Sequence, residues 1–117
     1  MLKVMQNTET RSSTRIAAAL RIGFIRHREP IPFTSLHLGD DVCLVHLPGE
    51  SFVEYQLFAQ QQRPGGFTCT ASYGDGVTGY IPLEKSFAEG GYEPSQAYAA
   101  PNSEKVIKQT LSDLLKK

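Results

Sequence analysis

The chain has 117 residues, enough for one modest domain or one piece of a larger one, and long enough to bury a single core. Its 12 basic and 12 acidic residues cancel, so no net field draws it to nucleic acid or to an anionic membrane. No stretch approaches the ~18 apolar residues of a membrane span, and the opening "MLKVMQNTETRSST" lacks the apolar centre of a secretion signal. The chain therefore reads as soluble as it stands, while the compartment of a parent protein, a secreted one included, stays open.

In chain order, Ile16, Ala19, Leu20, Gly23 and Phe24 recur at helical spacing and predict an amphipathic helix from Ser13 to Arg28. Arg11, Arg15, Arg21, Arg26 and Arg28 make this quarter locally basic, which is read as a solvated face rather than a phosphate-binding patch. Pro30 and Pro32 end the helix. "FTSLHLGDDVCLVHL" then gives two extended runs around Gly39, Asp40 and Asp41, the pattern of a β-hairpin. "VCLVHL" is apolar on both faces, which suits a central strand.

Beyond Pro48 and Gly49, "ESFVEYQLFAQQQR" reads as a helix with Val53, Leu57 and Gln60 on one face and Phe52, Tyr55, Phe58 and Ala59 beside it, closed by "PGG" at 64 to 66. "FTCTAS" follows as a strand, with Phe67, Cys69 and Ala71 on one face and Thr68, Thr70 and Ser72 on the other. Strand, helix and strand in this order form a βαβ unit, so the strands at 42–47 and 67–72 are expected to be parallel. "EPSQAYAAPNS" is the nearest thing to a linker. A last helix, capped at Asn102 or Ser103, carries Ile107, Leu111, Leu114 and Leu115 on one stripe. The expected fold is α/β: a mixed sheet with a β-hairpin and a βαβ unit flanked by helices, one segment over 1–117 that is part of a larger α/β domain.

Open α/β sheets bind ligands outside the carboxyl ends of their strands, where both Glu50 and the "SYGDGVTGY" loop fall. Glu50 has two readings: an acidic residue in a first helical turn, stabilised by the macrodipole by about 0.3–1 kcal/mol, or a ligand held at a site. "YGDGVTGY" has neither GxGxxG nor P-loop spacing. His27, His37 and His46 are scattered and are expected to be satisfied surface or core histidines. Cys43 and Cys69, with no CxxC pair, are expected to be buried free thiols. No GxSxG elbow is present.

"LPGE" at 47–50, followed by "GYIPLEKSFAEGGYE" at 79–93, resembles the C-terminal part of the catalytic domain of the neutral/alkaline non-lysosomal ceramidases. That family carries a PGE turn, then a strand leading into Y-x-T-T-x-E-E-Y-x-x-x-x-Y-E. Here Tyr80 opens the segment, Phe87 stands at its second aromatic, and Tyr92 and Glu93 close it in register. Pro82 and Leu83 replace the Thr-Thr pair, "YGDGVTG" replaces an asparagine-bearing approach, and the helix after PGE lacks the family's usual arginines.

The resemblance implies a zinc amidohydrolase acting on ceramide-like or other N-acyl amides. Glu50 and Tyr80 would be metal ligands, with Tyr73 an alternative to Tyr80. Tyr92 would be the catalytic tyrosine that supports the amide oxygen. Two histidine ligands are expected from a missing upstream part of the domain, so the isolated chain should be inactive, hold zinc poorly if at all, and self-associate. No nucleic-acid partner is expected. The alternative is a small α/β binding or assembly domain without catalysis.

Overall fold

The strand "VCLVHLP" alternates between buried and open positions, and this alternation organises the structure. A computed structural model describes residues 1–26, 29–74 and 79–116. The chain divides into two compact units, Met1–Pro30 and Ile31–Lys117. In the second, β1 (Thr34–Leu38) runs antiparallel to β2 (Val42–Pro48), with Leu36 opposite Leu44 and His37 opposite Cys43. β2 in turn pairs in parallel with β4 (Phe67–Gly74), giving the order β1-β2-β4. The expected hairpin and parallel βαβ unit are both present, β2 is central, and the class is α/β. Between β2 and the helix lies an extra element, β3 (Glu50–Ser51), which pairs in parallel with β5 (Tyr80–Ile81) as a separate two-stranded sheet.

The inward face of β2 presents Cys43, Val45 and Leu47, which form one cluster with Tyr55 and Ala59 of α3 (Val53–Gln61) and Ile107, Leu111 and Leu115 of α6 (Ser103–Leu115). Ile81 and Leu83 complete that cluster, and Phe33, Phe52 and Phe58 pack against it. Both long helices of this unit thus lie on one face of the sheet. The buried stripe of α3 is centred on Tyr55 and Ala59, whereas Val53 and Leu57 are exposed. The Tyr55 phenol donates to the Pro82 carbonyl at 3.0 Å, which satisfies its buried hydroxyl.

β4 turns its hydroxyl face inward, opposite to what its apolar residues suggest. Thr68 is buried in register with Cys43, and Phe67 is 64% exposed. The expectation of two buried thiols holds for Cys43, while Cys69, which shares the Phe67 face, is only half-buried; both are free. After β5 come α4 (Glu84–Glu89) and α5 (Tyr92–Gln96), and α5 takes in the start of the expected linker, Glu93 to Gln96.

In the first unit, α1 (Leu2–Gln6) precedes α2 (Ser12–Arg26), and the Arg15 guanidinium donates through Nε to the Met5 carbonyl at 2.9 Å. Ala18 is the buried residue of α2. Among the described residues, no helix is long and apolar enough to cross a membrane.

Candidate functional site

Glycines set the site's backbone. Gly49 leaves β2 with φ +58° and Gly79 enters β5 with φ +60°, left-handed conformations that side chains with a Cβ rarely adopt. At Gly79 a Cβ would also lie 2.9 Å from the Gln96 carbonyl oxygen. Each glycine directly precedes one of the residues singled out above. The Glu50 N–H donates to the Gly79 carbonyl at 2.9 Å and the Phe52 N–H to the Ile81 carbonyl at 3.2 Å, which puts Glu50 in register beside Tyr80 and Ser51 beside Ile81. Neighbouring strands lie about 4.8 Å apart, so the two side chains rise from adjacent positions.

Glu50 therefore lies in a strand. The helix begins at Val53, and the acidic residue of its first turn is Glu54. The dipole account of Glu50 fails on this placement, because the helix field falls off within a turn.

Tyr92 opens α5, and its ring meets that of Tyr80 edge to face, with centroids 5.8 Å apart at 75°. The three residues implied by the ceramidase resemblance are thus linked, Glu50 to Tyr80 by strand pairing and Tyr80 to Tyr92 by ring contact. Desolvation raises the Tyr80 phenol above its ordinary value, and the charges of Glu50, Tyr92, Glu93 and Tyr73 push it the same way. Of the groups acting on Tyr80, Glu50 and Glu93 are the carboxylates.

At Tyr73, near the end of β4, the neighbouring Glu50 carboxylate is the first cause that raises the phenol above its ordinary value, with desolvation next. The Tyr73 N–H donates to the Gly49 carbonyl at 2.6 Å, and Ser51 and Ser72 hydroxyls share a hydrogen bond at 2.7 Å. Sequence reasoning gave no role to Glu93 or to the serine pair. Glu93 was marked only by its place in the "YE" pair, and nothing in the residue pattern marked Ser51 or Ser72.

The remaining candidates lie elsewhere. His37 is paired with Cys43; its Nδ1 accepts from Arg63 at 2.9 Å, and its Nε2 is 3.8 Å from the Cys43 sulfur. His46 is exposed and lies against Gly74. His27, Arg28 and the 75–78 stretch of the glycine-bearing loop fall outside the described residues. Among the described residues, no three or more His, Cys, Asp or Glu side chains group as a metal site. Comparison with protein-family models, curated proteins and solved structures returned no match.

The donor set suits part of a zinc site. Glu50 supplies a carboxylate and Tyr80 a phenol, both hard oxygen ligands, where four ligands make a closed site and three an open one. The carboxylate charges of Glu50 and Glu93 that add to the raised Tyr80 phenol would favour a cation there, and a bound cation would push the phenol the other way.

Proposed function

We propose that this chain is the C-terminal portion of a ceramidase-like zinc amidohydrolase that cleaves N-acyl amide bonds of ceramide-like lipids, and that it is inactive as this piece alone. One observation above all supports the reading: Glu50 and Tyr80, 30 residues apart in sequence, are direct partners across a two-stranded parallel sheet. Glu50 and Tyr80 would hold the metal, together with two histidines from an upstream part of the domain. When bound, zinc supplies a lower pKa for water and polarises the amide carbonyl. Glu50 contributes the anionic oxygen and, with Glu93, the negative potential that attracts the cation. Tyr92 donates its O–H to the amide oxygen as charge develops there, and the exposure of its ring leaves it accessible to a substrate.

Glu50→Gln in the parent polypeptide tests this. Zinc content and amide turnover should fall together, while the melting temperature stays within a few degrees of wild type. Full zinc occupancy with normal turnover in that variant would defeat the assignment.

A second reading, a binding or assembly domain without catalysis, is favoured by one feature. The outward face of the three-stranded sheet exposes Leu36, Leu38, Leu44 and Phe67 as an apolar surface.

A further inference from the structure

The neutral total of the chain conceals an uneven division of charge. The Met1–Pro30 unit holds six basic residues, Lys3, Arg11, Arg15, Arg21, Arg26 and Arg28, against Glu9 and Glu29, while the second unit holds six against ten acidic ones. Neither α1 nor α2 contains an acidic residue. An amphipathic α2 would be expected to cover Ile16, Ala19, Leu20, Gly23 and Phe24, yet the first four are exposed and Ala18 is the one buried residue described in this unit. Ile16 and Leu20 are 60% and 56% exposed, Ile25 is equally open, and Met1, Leu2 and Val4 add further exposed apolar surface.

We propose that this strip of α2 docks on an anionic lipid surface, the helix lying in the headgroup plane with Ile16 and Leu20 turned into the acyl boundary. At about 3.6 residues per turn, Ile16, Ala19, Leu20 and Gly23 share one side of the helix, and Arg15 and Arg26 run along its edge. Such a helix buries its apolar side chains among lipid tails while its arginines keep to the phosphate headgroups, so the two attractions add. Among the described residues no helix is long and apolar enough to cross a membrane, which makes the attachment peripheral. A nucleic acid would use the arginines and leave the isoleucine and leucine in water. A second copy laid on the same strip would cover the apolar residues but set arginine against arginine, which is costly. An anionic bilayer satisfies both.

The strip belongs to a different compact unit from Glu50 and Tyr80, so lipid binding and zinc binding succeed or fail separately. The full chain is floated with phosphatidylcholine vesicles prepared with and without phosphatidylserine. It should bind the mixed vesicles and hold the neutral ones far more weakly, and added salt should loosen the binding. Arg26→Gln should weaken it about fivefold. Ile16→Ser combined with Leu20→Ser should weaken it by about tenfold or more. Helical circular dichroism should stay unchanged in these variants, because all three side chains are exposed. Phe67→Ser, on the sheet of the second unit, should bind as wild type does. A wild-type chain that ignores the mixed vesicles, or binds the neutral ones equally well, would overturn the proposal. Loss of binding in Phe67→Ser would overturn it by moving the contact to the sheet. Binding that survives the serine pair but is displaced by single-stranded RNA would overturn it by assigning the arginines to nucleic acid.

Discussion

Two phenols at the candidate site differ in what they touch. Tyr80 is the strand partner of Glu50, half-buried and under the influence of the Glu50 and Glu93 carboxylates, whereas Tyr92 meets Tyr80 through its ring and is exposed. Replacing each by phenylalanine in the parent separates their roles. Tyr80→Phe keeps the edge-to-face contact with Tyr92 but removes a metal oxygen, so zinc should be lost along with turnover. Tyr92→Phe should keep its zinc and lose rate by on the order of 100-fold, the worth of one oxyanion donor. Zinc content measured beside turnover decides it, and equal zinc loss in both variants would remove the distinction. Glu50, Tyr80 and Tyr92 could be singled out in the sequence through the family resemblance, whereas the strand pairing of Glu50 with Tyr80 could not. The left-handed backbone of Tyr73 was not legible either, because it contradicts the residue preferences on which turn reading depends.

At the level of elements, the hairpin, the parallel crossover and the last helix were readable because each repeats its pattern over several residues. The β3–β5 pair was not. Two residues in each strand show no alternation, and their pairing depends on two glycine turns far apart in the chain. The inward face of β4 was also hidden, because two of its hydroxyls face the covered side for bonds that only the assembled structure reveals, while the third, on Thr68, is buried with no hydrogen-bond partner among the described residues. Thr70 donates to Gln56 and Ser72 joins Ser51.

A similar long-range bond fixes α4. The Glu84 N–H, in its first turn, donates to the Glu104 carboxylate of α6 at 2.6 Å. The bond to Lys108 is the main cause holding the Glu104 carboxyl below its ordinary value of 4.5, with the Glu84 N–H adding to it. A carboxyl lowered by folding stabilises the protein above its unfolded pKa, and that contribution is lost as pH falls through the lower folded value. Glu104→Ala should therefore cost about 0.5–2 kcal/mol near neutrality, as loss of a helix cap does. The deficit should shrink as the pH drops well below 4.5. Urea unfolding at the two pH values measures it; a constant deficit would mean the side chain acts through packing alone.

For the whole molecule, the outward face of the sheet is the dominant exposed feature of the second unit. Leu36, Leu38, Leu44 and Phe67 lie together on it, and β1 and β4 are both edge strands. Sedimentation of the isolated chain should show concentration-dependent association, and Phe67→Lys should abolish it without lowering the melting temperature. A monomer at high concentration would count against both the missing-half reading and the assembly reading.

The bond from Tyr55 to Pro82 has a consequence of another kind. Burial first, then the charges of Glu104 and Glu54, raise this phenol far above its ordinary 10.0. Its protonated form belongs to the folded state, so its share of stability is complete below about pH 10 and drains away as alkalinity climbs towards the folded value. Hydroxide thus reaches the core by equilibrium rather than by access. Above the phenol's ordinary pKa, a molecule that opens releases the Tyr55 proton and must recover it to close, so alkaline unfolding and tyrosinate formation at this position are linked.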